Sequence, residues 1–156
     1  MGDLFSYRLS DFILFSGTSY YRQIEIYNKA IWPMHIVAVL FACLLIYNIW
    51  KKPAWGGRVS AMILMISWLW VAYAFLYQRF YLIHVVADWY ALGYVIQAIF
   101  IAWYGLVKDG FSVSRHIGSK PVLGAGIIVC GTALYPVIAP FSGRPWQQVE
   151  MFALTP

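Results

Sequence analysis

From Ile31 onward the chain is dominated by apolar residues, and charge, proline and glycine gather at only a few places. The longest apolar stretch, Val59 to Val107, is too long for one membrane crossing and long enough for two. Its single interruption is Arg79–Asp88, which also holds His84. That interruption predicts the tip of a tight helical hairpin. A second break, Lys51–Arg58, combines three cations with Pro53, Gly56 and Gly57 and reads as a loop. A third, Lys108–Lys120, is polar and holds Gly110 and Gly118. The pattern therefore predicts four spans, at about 31–50, 59–82, 86–107 and 121–141. Twenty residues at about 1.5 Å each cover a hydrocarbon core of about 30 Å. Pro121 suits the first turn of the fourth span, and Pro136 and Pro140 should bend or end it.

The lead into the first span is different. Residues 1–18 mix Phe5, Tyr7, Leu9, Phe12, Ile13 and Phe15 with Asp3, Arg8 and Asp11, a pattern suited to the headgroup zone. Ser16–Ser19 offers an N-cap. From there Tyr20, Ile24, Tyr27 and Ile31 fall on one side of a helix, and Arg22, Glu25 and Lys29 largely on another. This amphipathic stretch is expected to run straight into the first span, loosened or kinked at Pro33. No small-residue cleavage site follows Phe12–Phe15, so the first span is expected to be its own insertion signal. The expected whole is a single all-α polytopic membrane domain over residues 1–156, with 1–30 as an interfacial lead-in and 142–156 as an interfacial tail.

Composition agrees. The chain is 62% hydrophobic and 11% charged, against about 25% charged for soluble domains. Cys43 and Cys130 each lie in an apolar run and show no metal or disulfide spacing. Charge adds an orientation. Lys51, Lys52, Arg58, Lys108, Arg115 and Lys120 fall on one side of the four spans, with Asp109 as their only acid. Arg8, Arg22, Lys29, Arg79 and Arg144 fall on the other, among five acids. The positive-inside rule then puts both termini and the Arg79–Asp88 hairpin outside the cytoplasm. Basic membrane loops need no nucleic acid to explain them.

Polar residues at membrane depth are the usual pointers to function, and here they are few. His35 and His84, with Met34 as a third candidate ligand, could hold a metal or haem; interfacial histidines also simply bond headgroups. Arg79 and Asp88 could pair across the hairpin and pin it. Gln97 shares a helix face with Tyr90, Tyr94 and Tyr104 and needs a hydrogen-bonding partner in hydrocarbon. That face should look into the bundle, line a polar path or meet another subunit. A second aromatic stripe, Trp70, Tyr73, Tyr77 and Tyr81, could seat a chromophore or quinone or form an interfacial belt. Small residues mark close approaches: Ala87, Ala91, Ala98, Ala102 and Gly105 in the third span, and Gly124 with Gly131, and Gly126 with Cys130, in the fourth. No nucleophile–base set, paired intramembrane carboxylates, phosphate-binding loop or arginine ladder is present.

The Tyr27-Asn-Lys-Ala-Ile-Trp-Pro33 stretch resembles an uncharacterised family of bacterial integral membrane proteins with a Tyr-Asn-x-Ala-x-Trp-Pro lead into the first span. Phe15-Ser with Tyr20 and Tyr21, Tyr77 with Phe80 and Tyr81, Gln97, and Leu134-Tyr-Pro136 also match, covering about residues 11–156. Members of that family look longer, with about two further spans, which implies a short form or an incomplete copy here. Where they tend to have Asn-Pro at the hairpin, this chain has His84–Asp88. The resemblance brings no activity.

The expectation from sequence is a non-catalytic accessory subunit of a larger bacterial inner-membrane complex of an energy-converting or oxidising kind, without a cofactor. The packing surfaces would be Gln97, Tyr94, Ala98, Ala102, Gly124 and Gly131, against lipid and other membrane subunits. Two alternatives stay open: a homo-oligomeric transporter or channel with Gln97 on its path, and a metal, haem or quinone redox protein using His35 and His84.

Overall fold

The structure is a computed structural model and describes residues 17–82, 84, 86–111 and 119–156. The expected interfacial segment before Gly17, and Arg115 in the third break, lie outside the described residues. Helix α1 is Gly17–Ala30 and α2 is Met34–Lys51. Helix α3 is Gly56–Trp70, continued by the π-helical turns Val71–Tyr77. Helix α4 is Ala87–Ile101, continued by Ala102–Val107. Helix α5 comprises Ser119–Val129, the π-helical Cys130–Leu134 and Tyr135–Phe141. Helices α2 to α5 each contain a segment long and apolar enough to cross a membrane. The protein is an all-α, multi-pass membrane protein.

Two boundaries differ from the hydropathy pattern, each for a local reason. The lead and the first span are two helices rather than one. A turn at 31–33 separates them, because Pro33 has no N–H and disfavours helical geometry at Trp32 before it. The second span stops at Tyr77; the chain turns at Gln78 and Arg79 and tightens into a 3-10 turn, Phe80–Leu82. Helix α5 ends at Phe141 directly after Pro140. Gly143 closes it with φ +79°: its N–H bonds the Pro140 carbonyl, and the Arg144 N–H reaches back to Ala139. This is a Schellman closure, which glycine adopts without a Cβ clash.

The helices are ordered α4–α3–α2–α5, with α3 packed on both α2 and α4 and α5 resting on α2. The α3–α4 pairing is the tightest. A Cβ on Gly105 would strike the Ala61 side chain, and Ala61, Ala87 and Ala98 are fully or almost fully buried. At the opposite edge α5 is nearly bare: a Cβ on Gly124, Gly126 or Gly131 would meet nothing within 4 Å.

The two ends of the bundle have different chemistry. One carries Lys51, Lys52, Arg58 and Lys108, and there Arg58 and Asp109 approach to 3.6 Å, joining the two connections. At that end Asn48, 2% exposed, donates to the Gly56 carbonyl at 3.3 Å and the Ser60 hydroxyl at 3.1 Å. The other end is capped by α1 and the chain after Phe141. Ile24, Tyr27, Phe75, Phe80, Ala87 and Leu154 form the centre of the core there.

Candidate functional site

The capped end is built by α1. Ile24, Tyr27 and Asn28 lie three and four residues apart, so they share one face, and all three are buried. The sequence puts two polar groups into that buried face, and each needs a partner. The tail supplies them. Tyr27 donates its hydroxyl to the Leu154 carbonyl at 2.8 Å and accepts the Trp70 indole N–H at 2.8 Å. Asn28 spends both amide hydrogens on the tail, donating to the Gln147 carbonyl at 3.0 Å and the Val149 carbonyl at 2.9 Å. One α1 face therefore holds the tail at three carbonyls and α3 at one indole. Burial pushes the Tyr27 phenol up to about 12, although the Trp70 hydrogen bond and the Arg79 charge act the other way.

The solvent-side face of α1 carries a charge cluster. Lys29 reaches Glu25 at 2.7 Å and Arg22 reaches it at 3.0 Å. Gln148 of the tail donates to the other Glu25 oxygen at 3.3 Å. The Lys29 bond first, then those from Gln148 and Arg22, hold the Glu25 carboxyl down at about 2. A second pair lies deeper: Arg144 and Glu150 meet at 3.4 Å with little exposure, and the Arg144 guanidinium sits 4.3 Å from the Tyr21 ring centre. Burial first, then the Glu150 charge, pushes Tyr20 up to about 12.

The predicted site residues divide. His35 and His84 have different surroundings. The His35 ring lies 5.8 Å from Trp32, whereas His84 stacks on Phe80 at 5.3 Å and neighbours Tyr90 at 5.7 Å. Among the described residues, no group of three or more His, Cys, Asp and Glu could hold a metal ion. Among the described residues no ion pair joins Arg79 to Asp88. At the hairpin Phe80 stacks on Phe75 and on His84, and the His84 N–H bonds the Phe80 carbonyl. Asp88 instead sits exposed in the first turn of α4, where the positive end of the helix dipole favours a carboxylate.

On α4 the faces separate cleanly. Ala98 is 1% exposed, Ala102 is half-buried, and Tyr94 turns inward, its ring 4.4 Å from Trp68. This small-residue seam is used within the chain, against α3. Gln97 is exposed in the middle of the span, and among the described residues its side chain makes no hydrogen bond. At 100° per residue it shares a flank with Tyr90, Gly93 and Tyr104. Tyr90 and Tyr104 are 51% and 55% exposed, and a Cβ on Gly93 would meet nothing within 4 Å. Gly124 and Gly131 also lie on open surface. The tail contacts of Tyr27 and Asn28 are not legible in the sequence. Their signal was two polar groups on the apolar stripe of α1, but nothing local identifies the carbonyls 119 to 127 positions away that meet them.

A family model described as a family of unknown function, DUF6064, matches residues 17–156. No curated protein and no solved structure matches the chain.

Proposed function

The chain belongs to the DUF6064 family of unknown function, and from its geometry we propose a non-catalytic membrane subunit that docks other transmembrane helices. Its docking surface is the Tyr90–Gly93–Gln97–Tyr104 flank of α4. The observation that carries this is Gln97. A primary amide at mid-span, exposed and without a hydrogen bond among the described residues, faces hydrocarbon unless another helix covers it. Buried polar groups are almost always paired, and amide bonds between membrane helices contribute about 0.6–2 kcal/mol. Gly93, one turn earlier, leaves room for a second backbone to approach. The partner is a transmembrane segment with an amide or hydroxyl at matching depth. We place the capped end outside the cytoplasm of a bacterial inner membrane, because Lys51, Lys52, Arg58 and Lys108 gather at the other end.

Site-specific photo-crosslinking in native membranes tests this. Probes at positions 93 and 97 should trap a discrete membrane-protein adduct, while probes at Leu92 and Ile99, on the other flank, should trap lipid. The mass of the adduct separates a second copy of this chain from a different subunit. Lipid adducts alone at all four positions would overturn the proposal.

A further inference from the structure

The chain after Phe141 turns back along the bundle. A pocket of about 320 Å³ lies where Glu150, Phe152 and Thr155 of this tail meet Ile128, Thr132 and Tyr135 of α5. Tyr135 and Thr132 stand six and nine residues before the end of α5 at Phe141, about 9 and 14 Å down the span at about 1.5 Å per residue. From residue 149 to residue 156 the backbone is turn and coil, and Val149, Glu150, Ala153, Leu154 and Thr155 are buried. Non-helical backbone at such depth is tolerated only where protein buries it or where it lines a cavity. Glu150 is then an ionisable group inside the span, the kind of residue that marks a binding site or a path.

The hydrogen bonds on the walls select the ligand. The Thr132 hydroxyl donates to the Ile128 carbonyl at 2.7 Å. The Thr155 hydroxyl donates to the Met151 carbonyl at 3.1 Å, and the Tyr135 phenol donates to the Glu150 carboxyl. Each of these side-chain hydrogens is spent, so the polar side chains of the pocket offer acceptor oxygens alone. The carboxylate also has capacity to spare. It can accept about four hydrogen bonds, whereas Arg144 meets one of its oxygens at 3.4 Å, longer than the roughly 2.7–2.9 Å of a charge-assisted bond. The Glu150 side chain keeps 11% exposure and Tyr135 is 49% exposed. Among the described residues the walls hold no lysine or arginine that could meet an anion. Ile127 is exposed, and beside Gly131 nothing lies within 4 Å, so the pocket is open on the lipid side.

We propose that this pocket takes a single-chain amphiphile with a primary ammonium head, entering from the lipid. An ammonium carries three N–H groups and no acceptor, and it gives them to the oxygens of Glu150, Tyr135 and Thr132. The hydrocarbon chain lies along Ile127, Ile128 and Phe152. A trimethylammonium head has the charge but no N–H, an alcohol has one O–H but no charge, and a phospholipid head brings a phosphate that no wall residue meets. Arg144 keeps its place against the Tyr21 ring. The site lies on α5, at the opposite edge of the bundle from the α4 flank, and does not depend on it.

The test reconstitutes the full chain in phosphatidylcholine nanodiscs and adds dodecylammonium, dodecyltrimethylammonium or dodecanol at the same mole fraction in the membrane. Readouts are the amphiphile retained in native mass spectrometry and the thermal midpoint. Dodecylammonium should be retained and raise the midpoint, and the other two should do so far less. Glu150→Gln removes the charge, and Gly131→Leu fills the open space of the pocket. Each should cut retention of dodecylammonium about tenfold. Because Glu150→Gln leaves Arg144 without its partner, Gly131→Leu carries the retention test where the glutamine variant does not fold. No retention of dodecylammonium would overturn the proposal. Equal retention of either of the other amphiphiles would do the same, as would undiminished retention in either folded variant.

Discussion

The Trp70 indole N–H donates to the Tyr27 hydroxyl at 2.8 Å, and this contact ties the last residue of α3 to the buried face of α1. The same hydroxyl passes a hydrogen to the Leu154 carbonyl, so three distant segments meet at one oxygen. Tyr27→Phe keeps the ring and its edge contact with Phe75 at 5.2 Å but leaves the indole and carbonyl unpaired. The expected loss is about 1–3 kcal/mol, read as a lower thermal midpoint and faster proteolysis of the chain after Phe141.

Glycines on the two edges of the bundle should respond differently to an added methyl. Gly105→Ala drives a Cβ into Ala61 and into the Phe111 ring, so α3 and α4 must separate, at a cost of about 1–3 kcal/mol. Gly131→Ala adds its methyl to open space. Its midpoint in detergent should equal or exceed that of the parent, since alanine is the better helix former. Thermal melts of the two variants side by side check this.

Acid should loosen the α1–tail contact in a defined window. Glu25 titrates at about 2 in the fold against 4.5 for an unperturbed glutamate. Its charged form is therefore the one the fold favours. That contribution is complete above about pH 4.5 and is lost as pH falls through about 2. Thermal midpoints measured from pH 7 to pH 2 should stay level with respect to this group until about 4.5 and then decline. Glu25→Gln should flatten that part of the decline, and an identical profile in the variant would remove Glu25 as its cause.

Gln97→Leu should separate folding from docking. The side chain makes no hydrogen bond among the described residues, so the monomer in detergent should melt no earlier than the parent. In native membranes the same change should reduce the crosslink formed at position 93 by roughly 3- to 30-fold, corresponding to about 0.6–2 kcal/mol.

The four apolar helices, the two basic connections and the buried stripe of α1 through Ile24 and Tyr27 are all legible in the order of residues alone. Each follows from hydropathy, charge or helical period, which act over one or two turns. Tertiary structure decided the rest. In a membrane the inward and outward faces of a helix are equally apolar, so no pattern along α4 could show that Ala98 packs inward while Gln97 faces out. Arg79 and Asp88 are close in sequence and opposite in charge, yet Asp88 sits exposed in the first turn of α4, while between the two His84 stacks on Phe80. The capping of the bundle depended most on three dimensions. The buried polar groups of Tyr27 and Asn28 demand partners by their chemistry alone, but only the return of the tail past Gly143 brings the carbonyls of Gln147, Val149 and Leu154 within reach.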